Sequence, residues 1–266
     1  MELRLHCLEV FRLTDPVQKA AAVLALAPPP ACLLDCTASL THDGPPGRPP
    51  RPELVQPQDV PRRSPFTLEG HCALVHAIAH IEFNAINLAL DAVWRFADMP
   101  APYYLDWLRV AQEEAKHFTL LHNHLRTLGH DYGDFMAHDG LWNLCEATRH
   151  DVVARMALVP RTLEARGLDA TPIIQAKLRK VGTPHALAAV AILDIILEEE
   201  VGHVAIGNHW YHWLCQRDQL DPLAFYRQVA EQHGAPRPKP PFNLSARRLA
   251  GFSDAELAAL PTVTSA

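Results

Sequence analysis

The chain has 266 residues, 48 % hydrophobic and 20 % charged, which supplies a well-buried core and excludes wholesale disorder. A formal net charge of −6 gives no general attraction to nucleic acid or anionic membrane, and the early apolar run at residues 20–27 is far too short to span a bilayer. The six cysteines form no C-x-x-C pair and the run follows the charged residues Glu9, Arg12, Asp15 and Lys19, so no signal peptide is read and the expected setting is a reducing cytoplasm with free thiols.

In chain order, residues 1–65 read as a proline-rich N-terminal arm, mostly irregular, with one short helix opening at Asp15-Pro16. Its arginines Arg48, Arg51, Arg62 and Arg63 are expected on a solvated strap. Four long helical segments follow. The first covers residues 68–96 and stops before Pro100 and Pro102. The second covers 102–128 and ends at Gly129. The third covers 141–166 and closes at Gly167, with Pro160 expected to kink or restart it. A short helix over 172–181 leads to Gly182, and the fourth long segment covers 184–217. Residues 218–266 read as a C-terminal tail with one short helix, marked by the capping-box pair Ser253 and Glu256. The expected fold is all-α, a four-helix bundle over residues 66–217 between an arm and a tail.

Each long helix sets an acid on its apolar stripe. Glu82 lies among Ile78, Ala79, Ala85 and Ile86. Glu114 and His117 lie among Ala111, Phe118 and Leu121. Glu164 follows Val153, Met156, Ala157 and Leu163. Glu200 and His203 lie among Leu193, Ile196, Leu197 and Val204. Buried carboxylates must neutralise, pair or bind metal. Glu114-Ala-Lys-His117 and Glu200-Val-Gly-His203 are both Glu-x-x-His, a spacing that turns two side chains to one side of a helix. The order Glu, Glu-x-x-His, Glu, Glu-x-x-His is the ligand set of di-iron and di-manganese carboxylate bundles. Two divalent ions would balance four carboxylates, with His117 and His203 as neutral ligands. Iron is the expected metal and manganese the alternative. Glu146 is a fallback for Glu164. Glu113 and Glu199, four residues before each histidine, are candidates to orient those rings from behind. His76, His80, His209 and His212 read as ordinary polar or half-buried histidines, and the five tryptophans as packing residues.

The segments His80-Ile-Glu-Phe-Asn-Ala-Ile-Asn-Leu-Ala-Leu-Asp-Ala-Val-Trp-Arg-Phe96, Glu113-Glu-Ala-Lys-His-Phe118, Leu163-Glu-Ala-Arg-Gly-Leu-Asp169 and Glu199-Glu-Val-Gly-His-Val204, together with residues 241–252, resemble a bacterial ferritin-like family whose activity is unassigned. The resemblance covers most of the chain after Pro65. It implies a ferritin-like bundle with Glu82, Glu114, His117, Glu164, Glu200 and His203 as ligands, and supplies no reaction. More distantly the pattern is similar to the di-iron tRNA hydroxylase group of the same superfamily, by analogy of fold and site.

Three functions compete at this stage. The first is an O2-dependent oxidoreductase holding two Fe ions and acting on an unknown substrate. The second is a non-catalytic metal-binding or iron-handling protein, and the third a metal-stabilised interaction module. A tRNA substrate is a sub-case of the first, through a basic rim of arm arginines with Arg237, Lys239, Arg247 and Arg248.

Overall fold

In a computed structural model the chain is all-helical. The structure describes residues 2–261, and among them the only β feature is an isolated bridge between Leu54 and Ala137. The chain divides into two compact units, Met1–Trp142 with Thr183–Ile192, and Asn143–Gly182 with Leu193–Ala266.

In the first unit the arm opens with two helices rather than one, a correction to the sequence reading. α1 (Leu3–Phe11) begins where the Glu2 carboxylate accepts the N–H groups of Arg4 and Leu5. It is only two turns long, too short to show a period, and it holds by burying Leu3, Cys7, Leu8 and Phe11. α2 (Pro16–Leu24) begins as expected, with Asp15 accepting from the Gln18 N–H. Apart from a single 3-10 turn at Ala31–Leu33, the irregular stretch then runs to residue 67.

Buried cations fasten these segments. Arg4 donates to the carbonyls of Val93 at 3.3 Å and Trp94 at 3.0 Å, two of the last carbonyls of α3 (Leu68–Arg95), and to Ala38 at 2.7 Å. Lys19 donates to Phe11 O at 3.0 Å, Gly47 O at 2.7 Å and Asn87 Oδ1 at 2.5 Å, and lies over the rings of Phe11 and Phe83. Arg48 pairs with Asp139 and reaches Asn84 at 3.3 Å, so it is not on a solvated strap. α3 starts at the cap Thr67, and α4 (Ala101–Thr127) packs along it after the break at Asp98–Pro100. α3 is, among the described residues, the one helix long and apolar enough to cross a membrane, yet 72 % of that stretch is buried inside the protein.

In the second unit the third long helix does not form in one piece. α5 (Gly140–Ala147) ends in a turn, and α6 (Val152–Leu158) restarts where Asp151 accepts the N–H groups of Val153 and Ala154. A π-helical segment, Val159–Glu164, follows. Pro160 has no N–H and its ring crowds the preceding turn, and the wider winding absorbs both. The Ala165 N–H reaches back to Pro160 O, and the Thr162 hydroxyl donates to Ala157 O at 3.1 Å. α7 (Ala165–Val181) then continues through Gly167 and Pro172, where the sequence reading had a stop and a separate helix, and ends at Gly182 in the left-handed conformation.

Pro172 is tolerated inside α7 for a visible reason. Its missing N–H would have bonded Leu168 O. That carbonyl accepts instead from Asn243 Nδ2, at 3.2 Å. Asn243 also caps α10 (Leu244–Leu249). The C-terminal region therefore belongs to the core. α8 (Pro184–Arg217), as expected, is the longest helix, and its Val204 packs with Ala165, Leu168, Ala246, Ala250, Phe252 and Leu257. Two further helices complete the region, α9 (Pro222–Gln232) and α11 (Asp254–Ala258). The second of these carries the predicted capping box; α9 and α10 correct the reading of a tail with one helix. Arg161 of the π segment donates to Glu256 at 2.7 Å among the rings of Tyr211, Tyr226 and Phe252, and Arg247 grips Asp169 at 2.6 Å. Gly207 of α8 lies against Pro160, where an added Cβ would stand 2.4 Å from the Pro160 Cβ.

Two outcomes follow from these contacts. Gly207→Ala should destabilise the chain by about 2 kcal/mol, because the proline ring cannot give way. Gly202→Ala, with open space at its Cβ, should be neutral or stabilising by up to ~1 kcal/mol; equal denaturation midpoints for the two variants would contradict the packing described. Asn243→Ala should lower stability by about 1–2 kcal/mol. In a Pro172→Ala background, where the backbone N–H is restored, a double-mutant cycle should show a smaller loss.

Candidate metal centre

α3 and α4 bring three of the predicted residues together in the first unit. Glu82, Glu114 and His117 are all buried, at 4 %, 0 % and 0 % exposure. His117 Nδ1 lies 3.4 Å from Glu114 Oε2 and 3.5 Å from Glu82 Oε2, and ligand-type atoms of the three residues all lie within 4.8 Å of one another. The cause is local. The stripe Ala79, Ala85, Ile86 and Ala89 seats α3 against the protein and carries Glu82 inward. Ala111, Phe118 and Leu121 do the same for Glu114 and His117, three residues apart on one side of α4.

The electrostatics follow from that burial. Burial, and then the neighbouring Glu114 charge, push the Glu82 carboxyl well above its ordinary range. Burial alone would lower His117, but hydrogen bonds to Glu114 and Glu82 outweigh it and hold the imidazole up at about 11. Both shifts favour the protonated forms of these groups. A divalent ion would offset the acids' charge instead, and the donors suit one: hard carboxylate oxygens with one imidazole. A buried Glu/His cluster that could hold a metal ion is thus present.

In the second unit Glu164, Glu200 and His203 are buried as well, at 8 %, 8 % and 0 %. His203 Nδ1 lies 3.6 Å from Glu200 Oε1, a near copy of the His117–Glu114 contact, as the repeated Glu-x-x-His spacing requires. Glu164 is the last residue of the π segment. Glu146, the fallback, is only half-buried and pairs with Arg149. Of the residues proposed to act from behind, Glu113 is half-buried and accepts from Arg109 Nε at 2.9 Å; Glu199 is half-buried too.

The other histidines behave largely as read. His76 Nε2 accepts from the Gly133 N–H at 2.9 Å, and His80 meets Tyr132 and Asn84 at 2.8 and 3.0 Å. Burial drives both rings to low pKa, about 4 and about 3. His209 is exposed and His212 contacts Glu256 at 3.0 Å. None of the six cysteines forms a disulfide, and Cys7, Cys72, Cys145 and Cys215 are buried. Sequence reasoning missed the buried cations Arg4 and Lys19, and set the half-buried Arg48 on a solvated strap. Most of their partners lie tens of residues away, and nothing local marks a lysine or arginine as internal.

A protein of Haemophilus influenzae described as "Uncharacterized protein" is 52 % identical over 216 residues, which is 79 % of this chain and 74 % of that protein. No solved structure matches. Residues 12–258, nearly the whole described chain, match the family described as "Protein of unknown function (DUF455)". The chain belongs to the DUF455 family.

Proposed function

We propose that this chain is a ferritin-like, di-metal carboxylate protein that oxidises a substrate with O2. In this reading Glu82, Glu114 and His117 supply one half of the ligand set, and Glu164, Glu200 and His203 the other. Two Fe ions are the expected occupants, with Mn as the alternative. The observation that carries it is the convergence of the buried donors Glu82, Glu114 and His117, whose ligand atoms lie within 4.8 Å of one another. The matching pair Glu200 and His203 and the buried Glu164 supply the same donor chemistry in the same chain order.

With reduced iron bound, such a centre supplies the electrons that reduce O2. The protein's own part is to fix the donors and to keep water out. The i,i+3 spacing on α4 and α8 sets one carboxylate and one imidazole side by side. Phe83 and Phe118, buried on the same two helices, meet at a 5.7 Å ring separation and add apolar packing between α3 and α4. The unknown substrate need not be nucleic acid. Arg247 is buried against Asp169, and Arg48 and Arg248 pair with Asp139 and Asp254, which leaves fewer arginines for a basic rim.

Metal-free chain titrated anaerobically with Fe(II) should take up two ions and melt at a higher temperature, since a ligand that binds only the folded state stabilises it. Glu114→Gln should weaken that uptake at least tenfold. Uptake equal to the wild type would remove the cluster from consideration. Exposure of the loaded chain to O2 should change its near-ultraviolet absorption and consume O2. A loaded chain that is inert to O2 would point instead to the non-catalytic reading, in which metal is handled or merely stabilises an interaction module.

A further inference from the structure

A groove of about 380 Å³ opens on the second unit, on residues that the metal-type donors do not include. One wall is a face of α7, where Arg166, Asp169, Ala170 and Ile173 follow one another at helical spacing. The other wall is the irregular segment 236–241, which brings Arg237 and Lys239. That segment is tied on both sides. Before it, the Ala235 N–H donates to Ala230 O at 2.9 Å. After it, the Asn243 N–H donates to Asp169 Oδ1 at 2.8 Å, and Asn243 Nδ2 holds Leu168 O. The groove is therefore set between a helix and a strap anchored to that same helix.

The lining carries three cations against one acid, and that acid is already matched. Asp169 accepts from Arg247 at 3.1 and 2.6 Å. Arg166, Arg237 and Lys239 are exposed, and no acid among the described residues pairs with any of them. Other arginines of this unit do have such partners: Arg161 with Glu256, Arg217 with Asp218 and Arg248 with Asp254. Exposed lysines and arginines are ordinarily just solvated. What sets these three apart is the shared hollow and its apolar surface. Ile173 of α7 is 40 % exposed there, opposite Pro236, Pro240 and Pro241. Prolines carry no N–H, so on that wall the donors to an anion are side chains.

We propose that this groove binds a phosphorylated small molecule, with the phosphate on Arg166, Arg237 and Lys239 and the organic body against Ile173 and the prolines. Arginine forks match phosphate oxygens two at a time, and the lysine adds a point charge. A phosphomonoester carries about −1.5 to −2 at pH 7, so it suits three cations better than a single carboxylate does. The volume lies at the small end of the ~300–1,000 Å³ range of small-molecule sites. A long nucleic acid fits less well, because it needs a run of phosphate contacts and this chain, of net charge −6, gathers its excess in one hollow. The groove needs no metal, so it stands independently of the di-metal reading.

Inorganic phosphate, phenyl phosphate and phenol are the probes, titrated calorimetrically into the full chain at low salt. Phenyl phosphate is expected to bind with Kd of about 1 mM or lower, inorganic phosphate more weakly, and phenol not measurably. Arg166→Gln and Arg237→Gln should each weaken phenyl phosphate by about tenfold. Lys180→Gln removes an exposed charge from α7 two turns beyond Ile173, outside the groove, and should change nothing. Ile173→Ser should narrow the preference for phenyl over inorganic phosphate. All four positions are exposed, so melting temperatures near that of the wild type separate lost binding from misfolding. No binding of either phosphate at about 10 mM would overturn the site, as would equal losses from Lys180→Gln and Arg237→Gln. Equal affinity for the two phosphates would remove the organic body and leave an adventitious anion contact. Binding of single-stranded RNA but of neither small phosphate would assign the charges to a nucleic-acid surface instead.

Discussion

Acids placed where water cannot reach are tolerated only if positive charge meets them, and that condition governs this protein more than any other. Glu82 and Glu114 lie together in a core of alanine, isoleucine and phenylalanine, with His117 against both. Replacing either acid by a hydrocarbon would suit packing. Keeping them requires protons or cations to be supplied, and that requirement explains why α3 and α4 lie with these faces together rather than simply sealing a greasy seam.

Elsewhere the same accounting of buried polar groups is met with cations of the chain's own. Arg4 takes up the final carbonyls of α3, Lys19 joins three oxygens, and Arg161 and Arg247 hold Glu256 and Asp169. Most of these contacts join a charged side chain to groups tens of residues along the chain, from 28 for Lys19 with Gly47 to 95 for Arg161 with Glu256. Asn243 repairs the carbonyl that Pro172 orphans in the same manner. The irregular N-terminal stretch and the C-terminal helices are for this reason parts of the two cores and not appendages to them.

Legibility in the sequence followed the range of the interaction. Glu114 with His117, and Glu200 with His203, could be read because three residues on a helix settle which side chains are neighbours. The ends of α3, α4 and α8 could be read because proline, glycine and cap residues mark them locally. The fate of residues 141–181 could not. Pro160 signals trouble, but whether a helix breaks, kinks or widens depends on what Gly207 and the Thr162 hydroxyl offer in three dimensions. α1 was hidden by its brevity, and α9 by a segment read as tail although Asp221-Pro222 opens it in the same way that Asp15-Pro16 opens α2. Arg166 lies far from Arg237 and Lys239 in sequence, and no spacing rule groups them.

The π segment makes chain length itself a structural parameter. A turn of this kind holds one residue more than the α turn it replaces. Loss of a single residue between Val159 and Leu163 would let the backbone wind regularly, and all of α6 would then swing by ~100° about its axis relative to Glu164. Either Arg155 and Met156 would leave the interior or Glu164 would. Loops in this fold can lengthen or shorten at little penalty, but in this stretch a deletion amounts to a rotation, and the reading frame of the helix is as fixed as the identity of the acid at its end.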